Sequence, residues 1–247
     1  MVSCSPCQYY LSIVIPAYNE EKRISTTLLK IKEYLNMQAF SWEIILVDDG
    51  GSDRTVEIAK NTLEGGRLTI IKNHTNCGKG YSVKSGILRS KGEIILFCDA
   101  DLSTPIEELE KVLVFINSGW DIVIGSRALP DSDIQVRQRW YREIMGKAFN
   151  FIVRSFILDG FKDTQCGFKC YRREAALAVF GWQKIKRFAF DVESIYIARK
   201  MGFRIKEFPV KWMNSQGSKV RLIRDSSFML LDLLRIKIYA LMGHYTI

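Results

Sequence analysis

The sequence of 247 residues contains only two histidines, His74 and His244, and neither stands beside a candidate nucleophile. A hydrolytic triad that depends on histidine is therefore poorly supported. The phosphate-binding pattern GxxxxGK followed by Ser or Thr does not occur, and the dinucleotide-binding pattern GxGxxG does not occur either. These absences argue against P-loop nucleotidases and nicotinamide-dependent enzymes.

Long apolar runs are also missing. No stretch of about 18 uncharged apolar residues occurs, and the N-terminus has no basic segment followed by an apolar one. We therefore expect a chain that neither crosses a membrane nor is secreted. The six cysteines are too sparse for a disulfide framework, which predicts reduced thiols in a cytoplasmic compartment. Cys4 and Cys7 form a lone CxxC, which is a weak indication of a zinc site.

Charge is unevenly distributed along the chain. Residues 1–130 carry 14 Lys and Arg against 16 Asp and Glu, whereas residues 131–247 carry 22 against 11. A basic surface suits nucleic acid, an anionic membrane or a phosphorylated substrate, and charge alone does not choose among them. No zinc finger or other nucleic-acid-binding motif occurs, so a nucleic-acid partner is not expected. The apolar stretch 228–242 contains three charges and predicts an amphipathic helix that lies on a bilayer or packs on the core.

Short apolar runs alternate with helical patterns in the first half. The strand-like runs lie at 11–15, 43–47, 68–71, 94–98 and 121–124. The helical patterns lie at 21–36, 53–63, 80–90 and 106–117. This alternation predicts an α/β fold in which βαβ units form a mainly parallel central sheet.

The second half has a different pattern. It contains a basic helical region at 135–158, a turn-rich segment at 163–169, a helix near 190–201, a strand near 204–210, and C-terminal helices. No linker or repeat separates the halves, so a single domain over residues 1–247 is expected.

Polar residues follow four of the predicted strands. In open parallel sheets, ligands bind beyond the carboxyl ends of the strands. Small and polar side chains occupy these positions at 16–21, 48–53, 76–80 and 99–101. We therefore expect the four segments to meet at one rim.

Asp99 and Asp101 lie one residue apart after an apolar strand. Ala100 is expected to point away from the rim while both carboxylates reach it. Two close carboxylates repel each other unless a positive charge lies between them. A divalent cation that bridges a diphosphate supplies that charge, because Mg²⁺ is usually held by one or two carboxylates plus substrate phosphates. An isolated DxD is more often a solvated turn, but its position after a strand favours a metal site.

Two further segments are candidates for binding a nucleotide. Asp48 and Asp49 follow the second strand, and the glycines after them let the backbone approach a ligand closely. Either aspartate is a candidate acceptor for a base N–H, while Ser52 or Asp53 caps the next helix. The segment 78–80, Gly-Lys-Gly, opens a helix and is suited to place backbone N–H groups and an ammonium near phosphate.

With these residues placed, the chain resembles the family 2 glycosyltransferases with the GT-A fold, a Rossmann-like fold that binds nucleotide-diphospho-sugars. Within that family it is similar to dolichyl-phosphate β-glucosyltransferases and other polyprenyl-phosphate glycosyltransferases. The segments that carry the resemblance are 15–21, 47–55, 76–80, 99–101, 125–127, 163–169 and 190–193. Of these, 163–169 and 190–193 are specific to the lipid-phosphate branch.

The resemblance implies a role for each matching residue. It implies that the nucleotide is held by Pro16, Ala17, Tyr18, Glu20 and Asp48 or Asp49. It implies that Asp99 and Asp101 hold Mg²⁺ or Mn²⁺, with Ala100 between them in the same donor-binding segment. It places Gly78, Lys79 and Arg89 near the donor. It places Arg127 and Gln165 near the transferring sugar or the acceptor phosphate, and Asp191 with Glu193 at the reaction centre.

The resemblance also implies a mechanism and a location. About 9–130 becomes the half that binds the nucleotide sugar, about 131–215 the acceptor half, and about 216–247 a helical segment near the membrane. The reaction expected is inverting transfer of a hexose, glucose from UDP-glucose first, to a polyprenyl phosphate such as dolichyl or undecaprenyl phosphate. A phosphate monoester is already anionic at neutral pH, so Asp191 either positions it or deprotonates it. Candidate residues for holding that phosphate are Arg127, Arg137, Arg139 and Lys169.

Departures from the family pattern leave alternatives open. Gly51 replaces the serine usual after Asp-Asp-Gly, and Ser103 stands where mannosyl-transferring relatives often have Gln, which argues against a mannose donor. The sequence shows no N-terminal membrane anchor like that of animal and fungal relatives. Peripheral contact with the cytoplasmic face of a membrane is therefore expected from the basic second half, with 140–154 as an interfacial helix or as ordinary core. The alternatives are a GDP-mannose donor, a soluble or polymeric saccharide acceptor, and a catalytically silent paralogue.

Overall fold

A computed structural model of the chain describes residues 7–63, 65–215 and 222–245. The strands are β1 (Tyr9–Ala17), β2 (Trp42–Asp48), β3 (Leu68–Lys72), β4 (Gly92–Cys98), β5 (Ile122–Ser126), β6 (Asp133–Val136), β7 (Phe168–Arg172), β8 (Ile205–Pro209) and β9 (Lys211–Met213). The helices are α1 (Ile24–Asn36), α2 (Thr55–Thr62), α3 (Lys79–Ile87), α4 (Leu109–Asn117), α5 (Trp140–Phe156), α6 (Arg173–Trp182), α7 (Phe190–Lys200) and α8 (Leu222–Leu241), with a 3₁₀ turn at Ile106–Glu108 before α4.

Seven strands form the central sheet in the order β3-β2-β1-β4-β7-β5-β8. Each neighbouring pair is parallel except those of β7, which runs antiparallel to both β4 and β5. A second sheet contains β6 and β9. Because β7 runs antiparallel to β4, with Phe168 opposite Cys98, the turn that precedes β7 lies at the same edge at which β4 ends.

The strands β1, β2, β4 and β5 are mostly buried on both faces, as is typical of parallel sheets covered by helices on both sides. In β1, Ile13 and Ile15 pack with α1 and α4 on one face, whereas Val14 packs with α3 on the other. In β4, Phe97 belongs to the second face, where its ring lies 5.7 Å from that of Phe190 in α7. Both apolar layers therefore end at the polar turns that follow β1, β2 and β4.

The predicted α/β fold with a mainly parallel sheet is confirmed, and the five strands and four helices predicted in the first half are present. The second half differs more. Residues 168–169 were expected in a turn but begin β7, because a buried lysine interrupts the apolar pattern of that strand. The predicted helix at 135–158 begins only at Trp140, since its first residues pair with β9 as β6. α6 was not predicted. The proposed CxxC includes Cys4, which lies outside the described residues.

Two helices leave apolar side chains on the surface. The late amphipathic stretch forms the single helix α8, which buries Met229, Leu233 and Ile236 against the core. The exposed large apolar residues of α8 are Leu230, Leu231, Leu234, Ile238 and Leu241. Those of α5 are Trp140, Ile144, Phe151 and Phe156. Across the described part of the chain, none of the helices combines the length and apolarity needed to cross a bilayer.

Candidate active site

The polar turns meet at the carboxyl edge of the sheet. Ala17 pairs with Asp48 in the β1–β2 register, and the Asp49 amide donates to the Ala17 carbonyl at 2.8 Å. β4 runs parallel to β1, so Asp99 follows it at the same edge. The Asp99 amide donates to the Gly167 carbonyl at 3.1 Å. One rim is thus built from turns of both halves of the chain.

Asp49 is buried and organises the neighbouring loop. Its Oδ1 accepts the Cys77 amide at 2.9 Å and the Asn73 side-chain amide at 2.8 Å, and its Oδ2 accepts the Gly78 amide at 2.9 Å. Gly50 has a φ of +72°, and a Cβ there would lie 2.5 Å from the Thr75 carbonyl carbon. Asp49 therefore serves the loop that leads to α3, and both of its oxygens are occupied by protein donors.

Asp48 has a different role in the same turn. Its Oδ1 accepts the Gly51 amide at 3.1 Å. Burial raises the pKa of the Asp48 carboxyl, opposed by the Gly51 amide and Lys72. Asp48 accepts one backbone amide, whereas Asp49 accepts two backbone amides and the Asn73 side-chain amide, so Asp48 keeps more acceptor capacity for a ligand N–H.

The segment after β1 forms the outer part of this rim. Pro16 is half-buried, Ala17 is buried and Tyr18 is exposed. The Glu20 amide donates to the Thr55 hydroxyl at 2.7 Å, which fixes the turn on α2. The Glu20 carboxylate accepts two hydrogen bonds from Arg23, each at 2.8 Å.

Arg23 was not singled out from the sequence, although it joins two predicted site residues. Its guanidinium pairs with Glu20 and lies 3.9 Å from the Asp101 carboxylate. The spacing of Glu20 and Arg23, three residues apart at the start of α1, was the available signal.

Asp99 and Asp101 face the rim, and Ala100 is buried in the core as expected. Lys79 Nζ lies 2.7 Å from Asp99 Oδ1, and the Asp101 carboxylate accepts the Ser103 amide at 3.0 Å. Burial raises the pKa of Asp101, and the nearby Asp99 charge raises it further. Leu102 has a φ of +45°, an uncommon conformation for a branched side chain that marks a tight turn here.

Gly167 provides a cradle for the Asp99 carboxylate. A Cβ built on Gly167 would lie 2.0 Å from Asp99 Oδ2, so only glycine allows this carboxylate its position. The described residues contain no cluster of three or more His, Cys, Asp or Glu ligands. Two carboxylates fit Mg²⁺ or Mn²⁺ when substrate phosphates supply other ligands, because hard cations of this kind are held in that way. The residues present thus suit a cation that arrives with a diphosphate.

Asp191 approaches the rim from the start of α7, paired with a lysine. Lys169 Nζ lies 2.5 Å from Asp191 Oδ1 and donates to the Cys166 carbonyl at 2.6 Å. The Lys169 side chain is fully buried, so the hypothesis that it holds an acceptor phosphate is wrong. Burial raises the pKa of the Asp191 carboxyl, opposed by Lys169 and Lys79. The two ammonium groups lie 5.8 and 5.3 Å from the Phe97 ring centroid.

Arg127 and the buried Asp163 form a second ion pair beside Asp99. Arg127 Nε and Nη2 donate to the two Asp163 oxygens at 2.7 and 3.0 Å, and the Arg127 amide donates at 3.0 Å. Burial would raise the pKa of Asp163, but the Arg127 charge outweighs it and lowers the value to about 2. The backbone amide of Gln165 also donates to Asp163, which places Gln165 at the rim. Arg127 keeps 30% of its side chain exposed.

Two predicted site residues do not reach the rim. Arg89 lies beyond the last residue of α3, about 15 Å along the helix from Lys79 at a rise of about 1.5 Å per residue. Its guanidinium donates to the Ser85 hydroxyl instead. Glu193 follows Asp191 by two residues and therefore points to another side of α7. Its carboxylate accepts hydrogen bonds from residues 184 and 185 and from Tyr245, so its placement at the reaction centre is corrected.

The comparisons with known proteins agree with this architecture. The family model described as glycosyl transferase family 2 matches residues 12–180. A dolichyl-phosphate β-glucosyltransferase of Trichomonas vaginalis is 38% identical, covering 98% of this chain and 75% of that protein. The enzyme of the same name from Dictyostelium discoideum is 37% identical, with coverages of 96% and 77%, and that from Homo sapiens is 36% identical, with coverages of 94% and 76%. The predicted resemblance is thus confirmed.

Solved structures share the fold at low sequence identity. Glucosyl-3-phosphoglycerate synthase from Mycobacterium tuberculosis, in complex with Mn²⁺, UDP-glucose and glycerol 3-phosphate, superposes with a TM-score of 0.68 at 17% identity, covering 93% of this chain and 80% of that one. A mannosyltransferase from Pyrobaculum calidifontis with GDP-mannose and Mn²⁺ gives 0.60 at 19% identity, with coverages of 88% and 61%. Sheet order, rim and sequence matches together lead to one conclusion: the chain belongs to glycosyl transferase family 2 and is a glycosyltransferase with the GT-A fold.

Proposed function

We propose that this enzyme transfers glucose from UDP-glucose to a polyprenyl phosphate such as dolichyl phosphate, with inversion at the anomeric carbon. The observation that carries the proposal is the alignment, over 94–98% of the chain, with eight relatives named dolichyl-phosphate β-glucosyltransferase. They are 33–38% identical to it. Coverage of this extent includes the second half, where an acceptor is expected to bind.

The donor is proposed to lie along the first-half turns. Asp48 accepts a hydrogen bond from the base, the backbone and side chain of Lys79 face the diphosphate, and Asp99 with Asp101 holds Mg²⁺ or Mn²⁺. A bound cation of this kind neutralises charge on a departing diphosphate, a contribution of several kcal/mol. Support comes from the 33% and 24% side-chain exposure of Asp99 and Asp101, which leaves both carboxylates accessible to a ligand.

The acceptor phosphate is proposed to lie between Arg127 and Asp191. The second pKa of a phosphate monoester is about 6, so its oxygen is anionic at neutral pH and needs little help from a base. Lys169 already occupies one oxygen of Asp191. This contact and the burial of Asp191 favour a positioning role in which Asp191 fixes Lys169 and does not itself bind the anionic phosphate. Arg127 Nη1 is not part of the Asp163 pair, and a hydrogen bond from an arginine to a phosphate oxygen is charge-assisted.

Contact with a membrane surface is proposed for α5 and α8, on the cytoplasmic face. Both helices bury one side and expose large apolar residues on another, which is the pattern of helices that lie in a bilayer interface. Basic residues accompany them, including Arg154 in the last turn of α5 and Lys237, whose ammonium lies 5.7 Å from the Phe156 ring of α5. Basic side chains next to apolar ones favour anionic lipid.

The test of the proposed function is a product assay. The purified protein is incubated with Mn²⁺ or Mg²⁺, a panel of UDP- and GDP-sugars and a short polyprenyl phosphate, and the extracted lipid is analysed by mass spectrometry and anomeric NMR. We expect one β-linked hexose on the lipid phosphate, with UDP-glucose as the preferred donor. A product formed equally well from GDP-mannose, or a donor that is only hydrolysed, would overturn the proposal.

Membrane contact is tested separately by flotation with vesicles. Leu234 is 60% exposed on α8, so Leu234→Glu adds a negative charge to the apolar surface without disturbing the core. We expect the wild type to float with anionic vesicles at low salt and the variant to remain largely in solution. Val114→Glu, at a 67% exposed apolar position on α4, is the matched control. Wild-type protein that stays in solution, or equal loss in both variants, would contradict the proposal.

A further inference from the structure

Glu193 is a fully buried carboxylate that joins three parts of the chain. Its Oε1 accepts the Lys184 amide at 2.9 Å and the Tyr245 hydroxyl at 2.6 Å, and its Oε2 accepts the Ile185 amide at 2.8 Å. Burial raises its pKa, while these three donors oppose that shift. A buried carboxylate with both oxygens bonded fixes the position of whatever donates to it.

The segment bound by Glu193 lies on the first turn of α3. The Tyr81 amide donates to the Lys186 carbonyl at 3.0 Å, and the Gln183 side chain donates to the Gly80 carbonyl at 3.0 Å. A Cβ on Gly78 would lie 2.4 Å from the Lys186 carbonyl oxygen, so the two segments touch through their backbones. Lys79 stands between these contacts. Residues 183–187, which we name the coupling segment, therefore set the position of Lys79.

The coupling segment also contacts α8 and the turn after it. Tyr245, four residues beyond the end of α8, is 2% exposed and packs its ring against Tyr196. The Arg187 guanidinium lies 4.2 Å from the Phe228 ring centroid, and the Lys184 ammonium lies 5.9 Å from that of Tyr239. Two direct contacts, and a third that passes through Glu193, thus connect α8 and its end to a segment that itself contacts the start of α3.

We propose that Tyr245 and Glu193 are positioning residues for the donor diphosphate, which act through the coupling segment on Lys79. This inference rests on the proposed function, because it assigns the donor to the start of α3. Neither side chain touches the donor. Each holds the backbone against which Lys79 is seated, so the C-terminal helix and the donor site are energetically coupled.

Tyr245→Phe is the variant that tests the inference most cleanly, because it removes one hydroxyl and keeps the buried ring. We expect the Kd for UDP with Mn²⁺, measured by calorimetry, to rise about threefold to tenfold, a change within the range of measured couplings between sites. The KM for UDP-glucose should rise by the same factor while the KM for the lipid phosphate stays unchanged. A merely structural defect would lower kcat through loss of active protein and leave both KM values as they are.

Glu193→Gln provides a second variant. Its amide group must face one of the backbone N–H donors, so we expect a larger rise in the UDP Kd than for Tyr245→Phe. The double variant should be no worse than Glu193→Gln alone, because residues that share one network are not additive. Tyr196→Phe removes a hydroxyl from the neighbouring ring and leaves the Glu193 bonds in place, so its UDP Kd should equal that of the wild type.

The outcomes separate the inference from the proposed function. An unchanged UDP Kd and donor KM in Tyr245→Phe and Glu193→Gln would overturn the inference while the enzyme still makes its lipid product. Equal rises in Tyr196→Phe and Tyr245→Phe would also overturn it, since the effect would then be one of packing. A wild-type protein that binds neither UDP nor GDP in the presence of Mn²⁺ would overturn both.

Discussion

The two sides of the rim hold their charged groups in different ways. On the donor side, Asp48 and Asp101 accept backbone amides two or three residues away, and Asp99 and Asp101 remain partly exposed. On the acceptor side, charges pair with each other across the sequence, Lys169 with Asp191 and Arg127 with Asp163. The two carboxylates proposed to hold the cation, Asp99 and Asp101, therefore stay partly accessible, although Asp99 also pairs with Lys79. On the acceptor side Lys169, Asp191 and Asp163 are buried and neutralised within the protein, and Arg127 alone of these four keeps an exposed part.

The largest effect is expected on the donor side. Asp101→Asn keeps the shape and removes a charge from the proposed cation site. Because a catalytic cation contributes several kcal/mol and about 1.4 kcal/mol is tenfold in rate, we expect kcat to fall by about 1,000-fold or more. Steady-state assays of the lipid product measure this. Asp131→Asn makes the same change at an exposed position and should leave kcat unchanged. A wild-type kcat in Asp101→Asn would contradict the proposal that Asp101 holds a catalytic cation.

A stability effect is expected on the acceptor side. Lys169→Met leaves Asp191 as a buried, unpaired carboxylate, so the free energy of unfolding should fall by about 3 kcal/mol. Chemical denaturation measures the change. Adding Asp191→Asn should recover much of the loss, because the uncompensated charge is then gone. If Lys169→Met is as stable as the wild type, the pair does not have the structural role assigned to it.

Gly167 lies where the two sides meet, because its carbonyl, in the turn before β7, accepts the Asp99 amide. An alanine there would place its Cβ 2.0 Å from Asp99 Oδ2 and displace the carboxylate. We expect Gly167→Ala to reduce kcat/KM for the donor by about 10- to 100-fold, in line with the cost of small misplacements in active sites. Gly146→Ala is the control, because nothing lies within 4 Å of a Cβ built there. An unaffected Gly167→Ala enzyme would show that Asp99 does not need its observed position.

The smallest effect concerns pH. The pKa of Asp163 is lowered to about 2 in the folded protein, below its unfolded value of about 4. The stability from this pair is therefore fully present above about pH 4 and is lost as the pH falls towards 2, by about 2 kcal/mol in total. Unfolding curves at successive pH values should show this loss in the wild type and not in Asp163→Asn. Parallel pH profiles for the two proteins would contradict the assignment.

The same difference between the two sides explains what could be predicted from the sequence. On the donor side, apolar strands end in short polar turns, so the rim, the orientation of Ala100 and the start of α3 follow from local patterns. On the acceptor side, Lys169 lies inside a strand, and its partner is 22 residues away. A buried lysine looks like a surface residue until its partner is known, which is why both β7 and the role of Lys169 were missed.

Two site residues were misplaced for a related reason. Arg89 and Glu193 lie close in sequence to Lys79 and Asp191. The family resemblance therefore predicted that Arg89 lies near the donor with Lys79, and that Glu193 lies at the reaction centre with Asp191. The direction in which a helix runs separates Arg89 from Lys79, and the angle between residues two apart on a helix separates Glu193 from Asp191. The contact that gives Glu193 its role involves Tyr245, 52 residues away, for which no local pattern exists.

A competition between two acceptors tests directly whether the enzyme's acceptor is a lipid phosphate. The enzyme receives UDP-glucose and Mn²⁺ with equal concentrations of a short polyprenyl phosphate and 3-phosphoglycerate, and both products are quantified by mass spectrometry over the initial phase of the reaction. If the buried charges of the acceptor side shape a site for a lipid phosphate, glucose should appear on the lipid alone. Transfer to 3-phosphoglycerate with an equal or higher kcat/KM would contradict the account.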